Sequence, residues 1–165
     1  MDIWDSYAHM GNQDFSDNNF EFALGHYDQA LSHANAMLHN SSEYDFDYIF
    51  RLILISHCNL ANCYFELDWI KKGCEQFEIA HQFLKAAIVL SNNNQMQLAA
   101  LKSNKLLKHK WLTSLKKYIK KIPDIQTFKS YSKSMCKTYN IHTFKQIGVQ
   151  NERSSTFYNH VTYNY

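Results

Sequence analysis

Metal coordination and nucleophilic catalysis are the chemistries that nine histidines and four cysteines first suggest, and neither has its spacing in this chain. Metal sites made of these residues recur as HExxH on one helix face, or as paired Cys and His ligands at zinc spacing. No such run is present. Cys58 and Cys63 stand five residues apart on one expected helix, a step that turns their side chains away from each other. In the absence of a CxxC pair, Cys58, Cys63, Cys74 and Cys136 read as reduced thiols, three of them acting as small hydrophobes within apolar helical stretches. His57 falls at a helix-packing position and reads as a core imidazole, whereas His26, His33 and His39 read as polar residues of a helix surface. The nucleophile elbow GxSxG, the phosphate-cradling glycine loop and the dinucleotide fingerprint are missing, and four glycines leave little room for them. A scattered Ser-His-Asp set would need a preorganised pocket, which a thin helical stack seldom provides. The expectation is therefore a protein that is not an enzyme and holds no metal or cofactor.

Lysine is the next residue type whose clustering could do something. Lys102, Lys105, Lys108, Lys110, Lys116, Lys117, Lys120 and Lys121 fall within twenty residues, a footprint that could sit on phosphate. Arg is the better fork for bases and phosphates, and Arg153 is the only one in residues 81–165. The same lysines fit a solvated face, or a helix laid beside an acidic neighbour. Such a neighbour exists: residues 1–80 carry 13 acids against 3 bases, a net of −10, and residues 81–165 carry 14 bases against 2 acids, a net of +12. A division of this kind steers partners by its field or is neutralised internally.

The elements that would carry these residues are helices. Only 4 Gly and 1 Pro are present, and such a scarcity of breakers suits long helices. A repeat is legible. Tyr7, Met10, Gly11, Phe20, Ala23, Tyr27 and Ala30 recur 50 residues later as His57, Leu60, Ala61, Ile70, Gly73, Phe77 and Ala80. Small residues let two helices approach while the aromatics fill the space beside them. Turn residues Ser16-Asp17-Asn18-Asn19 and Leu67-Asp68 stand where each hairpin reverses. The spacing predicts repeats at about 4–37 and 54–87, separated by an insertion at residues 38–53 that supplies a loop near Asn40–Glu43 and an early start to the next helix. After the Ser91-Asn92-Asn93-Asn94 break, Ala100, Leu107, Trp111, Leu115, Tyr118 and Ile122 form one apolar stripe, the mark of a capping helix over about 93–121. Residues 1–123 thus make one domain. Residues 124–165 lack helical periodicity and read as a polar, aromatic tail, partly docked or mobile, with Thr143–Val149 a candidate strand or extended arm.

These residues resemble tetratricopeptide-repeat domains, especially those of immunophilin-like co-chaperones, over roughly residues 4–90. The closest wording is Asn59-Leu60-Ala61-Asn62-Cys63-Tyr64, with Gly11-Asn12 in the first copy. The resemblance implies an all-α superhelix of two helical hairpins plus the capping helix, whose first helices line a concave groove. It places Asp5, Asn12 and Phe15, then Asn59, Asn62, Phe65 and Glu66, along that groove. Asn12 and Asn59 match asparagines with which the family holds a peptide's terminal carboxylate. Ala8 stands where the family has a lysine, and no Lys-x3-Arg pair follows, so the charge-assisted half of that clamp is missing. The amides would instead bond the backbone of an extended or helical segment, with Phe15 and Phe65 in apolar contact.

The resulting expectation is an adaptor or chaperone-like protein that binds a partner protein or peptide. Nucleic-acid or polyanion binding through residues 102–121, carried by Lys102, Lys105, Lys108, Lys116 and Lys120, is the alternative. Pairing with a second copy ranks third. The first residues lack a basic and apolar leader and no run reaches a membrane span, which gives a cytoplasmic expectation without membrane contact.

Overall fold

The computed structural model describes residues 2–40 and 45–140. Among them are seven α-helices and no strand: α1 Ile3–Ser16, α2 Phe20–His39, α3 Phe46–Glu66, α4 Ile70–Leu90, α5 Asn94–Tyr118, α6 Ile125–Tyr131 and α7 Lys133–Thr138. A 3-10 turn, Ile119–Lys121, continues α5. Each long helix packs on the next in sequence, and α5 also packs on α3. Residue pairings fix the directions. Asp14 meets His26, Gly11 abuts Tyr27 and Tyr7 stacks on His33, so α1 and α2 are antiparallel. Asp47 pairs with Lys102, Asn62 with Ser114 and Glu66 with Lys117, so α3 and α5 run parallel.

The two turns of the repeat are built alike. In the first, the N–H groups of Asp17, Asn18 and Asn19 donate to the carbonyls of Gln13, Phe15 and Asp14 at 3.0, 3.1 and 2.8 Å. Leu67, Asp68 and Trp69 do the same to Cys63, Phe65 and Tyr64 at 3.0, 3.2 and 2.8 Å. Asn18 and Asp68 both take φ 61°, the left-handed conformation that Asn and Asp tolerate best after glycine. Beneath these turns the small residues bring backbones together. A Cβ on Gly11 would stand 2.6 Å from the Tyr27 ring, and one on Gly73 2.5 Å from the Phe65 ring.

The main apolar cluster runs through α1 to α7, with Phe50, Phe65, Phe77, Leu84, Leu107, Trp111 and Phe128 fully enclosed, and a smaller one of Ala23, Tyr27, Leu60 and Cys63 joins α2 to α3. The early start of α3 is as expected, and it buries Ile49, Phe50, Leu52 and Ile53. Residues 124–140 differ from the sequence reading, because they form α6 and α7. The Asp124 carboxylate accepts from the Gln126 and Thr127 N–H groups and starts α6 just after Pro123. Phe128 then stacks on Trp111 at 5.8 Å, and Met135 and Cys136 are buried. The candidate strand at 143–149 lies outside the described residues. None of the helices described is long and apolar enough to cross a membrane.

Candidate peptide-binding surface

Residues Tyr48, Arg51, Ile55, Asn59, Asn62 and Glu66 recur every three or four positions on α3 and are all half-buried. That spacing holds them on one side of the helix, between α1 and α5. Two depressions open along this stripe. One, of about 150 Å³, is lined by Asn12, Phe15, Tyr27, Asn59 and Asn62. The other, of about 140 Å³, is lined by Asp47, Arg51, Lys102, Ser103 and Leu106.

The first depression unites four of the residues expected in the groove. The Tyr27 hydroxyl donates to Asn12 Oδ1 at 2.8 Å, and the Ser114 hydroxyl donates to Asn62 Oδ1 at 2.9 Å. With each carboxamide oxygen engaged, the amide nitrogens of Asn12 and Asn62 keep their donor capacity, and they make no hydrogen bond among the described residues. Asn59 makes no side-chain bond among the described residues. The result is a small polar floor of three amides with the Phe15 ring at its edge. Tyr27 and Ser114 carry no sequence signal for this task, since they meet their asparagines across 15 and 52 residues.

Other expected groove residues are placed differently. Phe65 is a correction: it is fully buried, in ring contact with Phe77 and Tyr118, and offers nothing to a ligand. Asp5 is half-buried on α1 and lines neither depression. Glu66 accepts from Lys117 Nζ and from the Tyr118 hydroxyl, both at 2.7 Å. Burial would raise its carboxyl, but those hydrogen bonds and the charges of Lys117 and Lys121 outweigh it and hold it below the usual value.

The lysines of α5 and of the 3-10 turn that continues it divide by face. Lys102 pairs with Asp47, Lys117 with Glu66, and Lys121 with Asp68 at 2.9 Å, so the side of α5 turned to α3 is neutralised by acids of the preceding hairpin. Lys108 lies over the Tyr139 ring at 5.3 Å. Lys105, Lys116 and Lys120 are exposed and make no ion pair among the described residues. The buried side chains are equally settled. His57 Nδ1 lies 2.8 Å from Gln76 Oε1 and burial lowers its pKa, as befits a core imidazole. Burial pushes the Cys58 and Cys63 thiols up to about 12, which keeps them protonated and hydrophobic at neutral pH.

A family model with the description "Protein of unknown function (DUF2753)" matches residues 2–146. Neither the curated proteins nor the solved structures contain a match.

Proposed function

We propose for this chain, which belongs to the family described as "Protein of unknown function (DUF2753)", the role of an adaptor of tetratricopeptide type that holds an extended segment of a partner protein. The observation that carries this reading is the trio of amides around one depression. Asn12 and Asn62 have their oxygens bonded to the Tyr27 and Ser114 hydroxyls, which limits the rotamer freedom left to lose on binding, and their N–H groups have no partner among the described residues. Main-chain carbonyls of an extended peptide are the matching acceptors, and Phe15 gives apolar contact beside them. The tetratricopeptide assignment draws on two hairpins with the same turn, 50 residues apart, and on small residues under aromatic neighbours in both. No catalytic role is proposed.

Pull-down from the native source, with wild type beside an Asn12/Asn59/Asn62→Ala variant, tests this. Partners that bind the wild type and are lost or weakened about tenfold or more in the variant support the groove. Identical partners at identical affinity would remove it. A second reading, polyanion binding, rests on Lys105, Lys116 and Lys120, which are exposed and without an ion pair among the described residues. It requires binding to a nucleic-acid duplex that weakens steeply with added salt, and a response flat in salt rejects it.

A further inference from the structure

Arg51 is the only arginine among the described residues, and it is half-buried in the wall of the second depression. It makes no ion pair or hydrogen bond among the described residues. The carboxylate best placed by sequence to meet it, Asp47 one turn earlier on α3, is bonded across to Lys102 instead. A guanidinium partly removed from water and left without an acceptor is costly, and its rigid fork is shaped for a carboxylate. Ser103, buried in the same wall, makes no hydrogen bond among the described residues, so its hydroxyl is a further donor. The depression therefore presents Arg51, Lys102 and Ser103 against one acid that is already engaged, with Leu106 as its apolar side.

We infer that this depression is a second subsite of the same surface, which takes an acidic side chain of the bound segment; the inference rests on the peptide-binding reading above. Arg51 lies on the same side of α3 as Asn59 and Asn62, and at about 1.5 Å per residue it is about 12–17 Å from them along the helix. An extended peptide advances about 3.3 Å per residue, so the acidic residue falls about four or five positions from the stretch held by the asparagines. Ile55 lies between the two ends, half-buried, and offers an apolar step to the intervening residues. The partner this surface selects is an internal acidic segment. A free chain terminus is not required.

The probe is a random pool of decapeptides with acetylated N-termini and amidated C-termini, captured on the full chain and sequenced. Enriched sequences are expected to share an Asp or Glu. An enriched peptide and its Glu→Gln or Asp→Asn counterpart are then compared by fluorescence anisotropy. Wild type should prefer the acidic form about tenfold, Arg51→Gln should bind both forms alike, and Arg51→Lys should keep part of the preference. The Asn12/Asn59/Asn62→Ala variant should lose both forms together. Should Arg51→Gln fail to fold, the salt response of the wild type decides: a preference that shrinks with ionic strength supports the subsite and a constant one overturns it. Enrichment without an acidic residue, or a preference that survives Arg51→Gln, overturns the acidic subsite and leaves the groove standing. Capture of no peptide, or capture indifferent to the three asparagines, overturns both.

Discussion

Gly11 and Gly25 belong to one hairpin, but only Gly11 is under steric compulsion. Its missing Cβ would lie 2.6 Å from the ring of Tyr27, which is itself buried and has its hydroxyl bonded to Asn12. Gly25 is exposed on α2 with nothing within 4 Å of the same added atom. Gly11→Ala must push Tyr27 aside and is expected to cost about 1–3 kcal/mol of overpacking, with Asn12 losing its partner as a consequence. Gly25→Ala relieves an exposed helix interior of its most flexible residue and is expected to add about 0.5–1 kcal/mol. Urea titrations of the two variants check the pair. Opposite signs are the expected outcome, and a neutral Gly11→Ala would mean that the hairpin does not close as tightly as the ring contact requires.

At the level of the elements, α6 and α7 attach to the long helices through few side chains. Phe128 stacks on Trp111, Met135 and Cys136 are enclosed, and the Tyr139 hydroxyl donates to Asn104 Oδ1 at 2.8 Å. Phe128→Ala leaves a cavity worth about 3 kcal/mol or more, and helices this short have little stability of their own. The expected result is faster amide exchange confined to residues 125–138, with α1 to α3 unchanged; exchange rising equally everywhere would mean that these helices unfold only with the whole chain. The contrast with the first hairpins explains what could be read in advance. Gly11, Ala23, Tyr27 and their counterparts repeat over a long interval, so the hairpins and the capping helix are visible as patterns. A seven- or six-residue helix completes fewer than two turns and shows no period. The groove divides in the same way. Asn12, Phe15, Asn59 and Asn62 follow from their places on α1 and α3, but Phe65 is next to Glu66, about 100° around α3 from it, and that turn carries it into contact with Phe77 and Tyr118. The bonds from Ser114 to Asn62 and from Lys117 to Glu66 join residues 52 and 51 apart, and no local pattern announces them.

Across the whole molecule the acidic first half and basic second half meet along α3 and α5, and α4, which packs on both, helps enclose two histidines. His57 lies in α3 against Gln76, and His81 lies in α4, its Nε2 3.0 Å from the Thr138 hydroxyl and its ring beside Tyr139. Burial lowers both pKa values from 6.5. For His57 the bond to Gln76 acts the other way and is outweighed; for His81 the charge of Glu78 and the nearby Asn104 side chain raise the pKa, while Lys85 adds to the lowering. Between 6.5 and those lowered values the unfolded chain binds protons that the folded chain refuses, so stability is fully present above 6.5 and declines as pH falls through that window. Below it the depressed carboxyl of Glu66 acts in the same direction, because its stabilisation is lost as pH drops from 4.5. Calorimetric melts from pH 8 to pH 4 should therefore show a melting temperature that falls in two stages, with proton uptake on unfolding near pH 6. In His81→Asn the upper stage should shrink, since the residue left to produce it is His57. A melting temperature that stays level or climbs between pH 7 and pH 5.5 would mean that neither imidazole is shut away from water, and that α6 and α7 do not cover α4 as the Thr138 and Tyr139 contacts require.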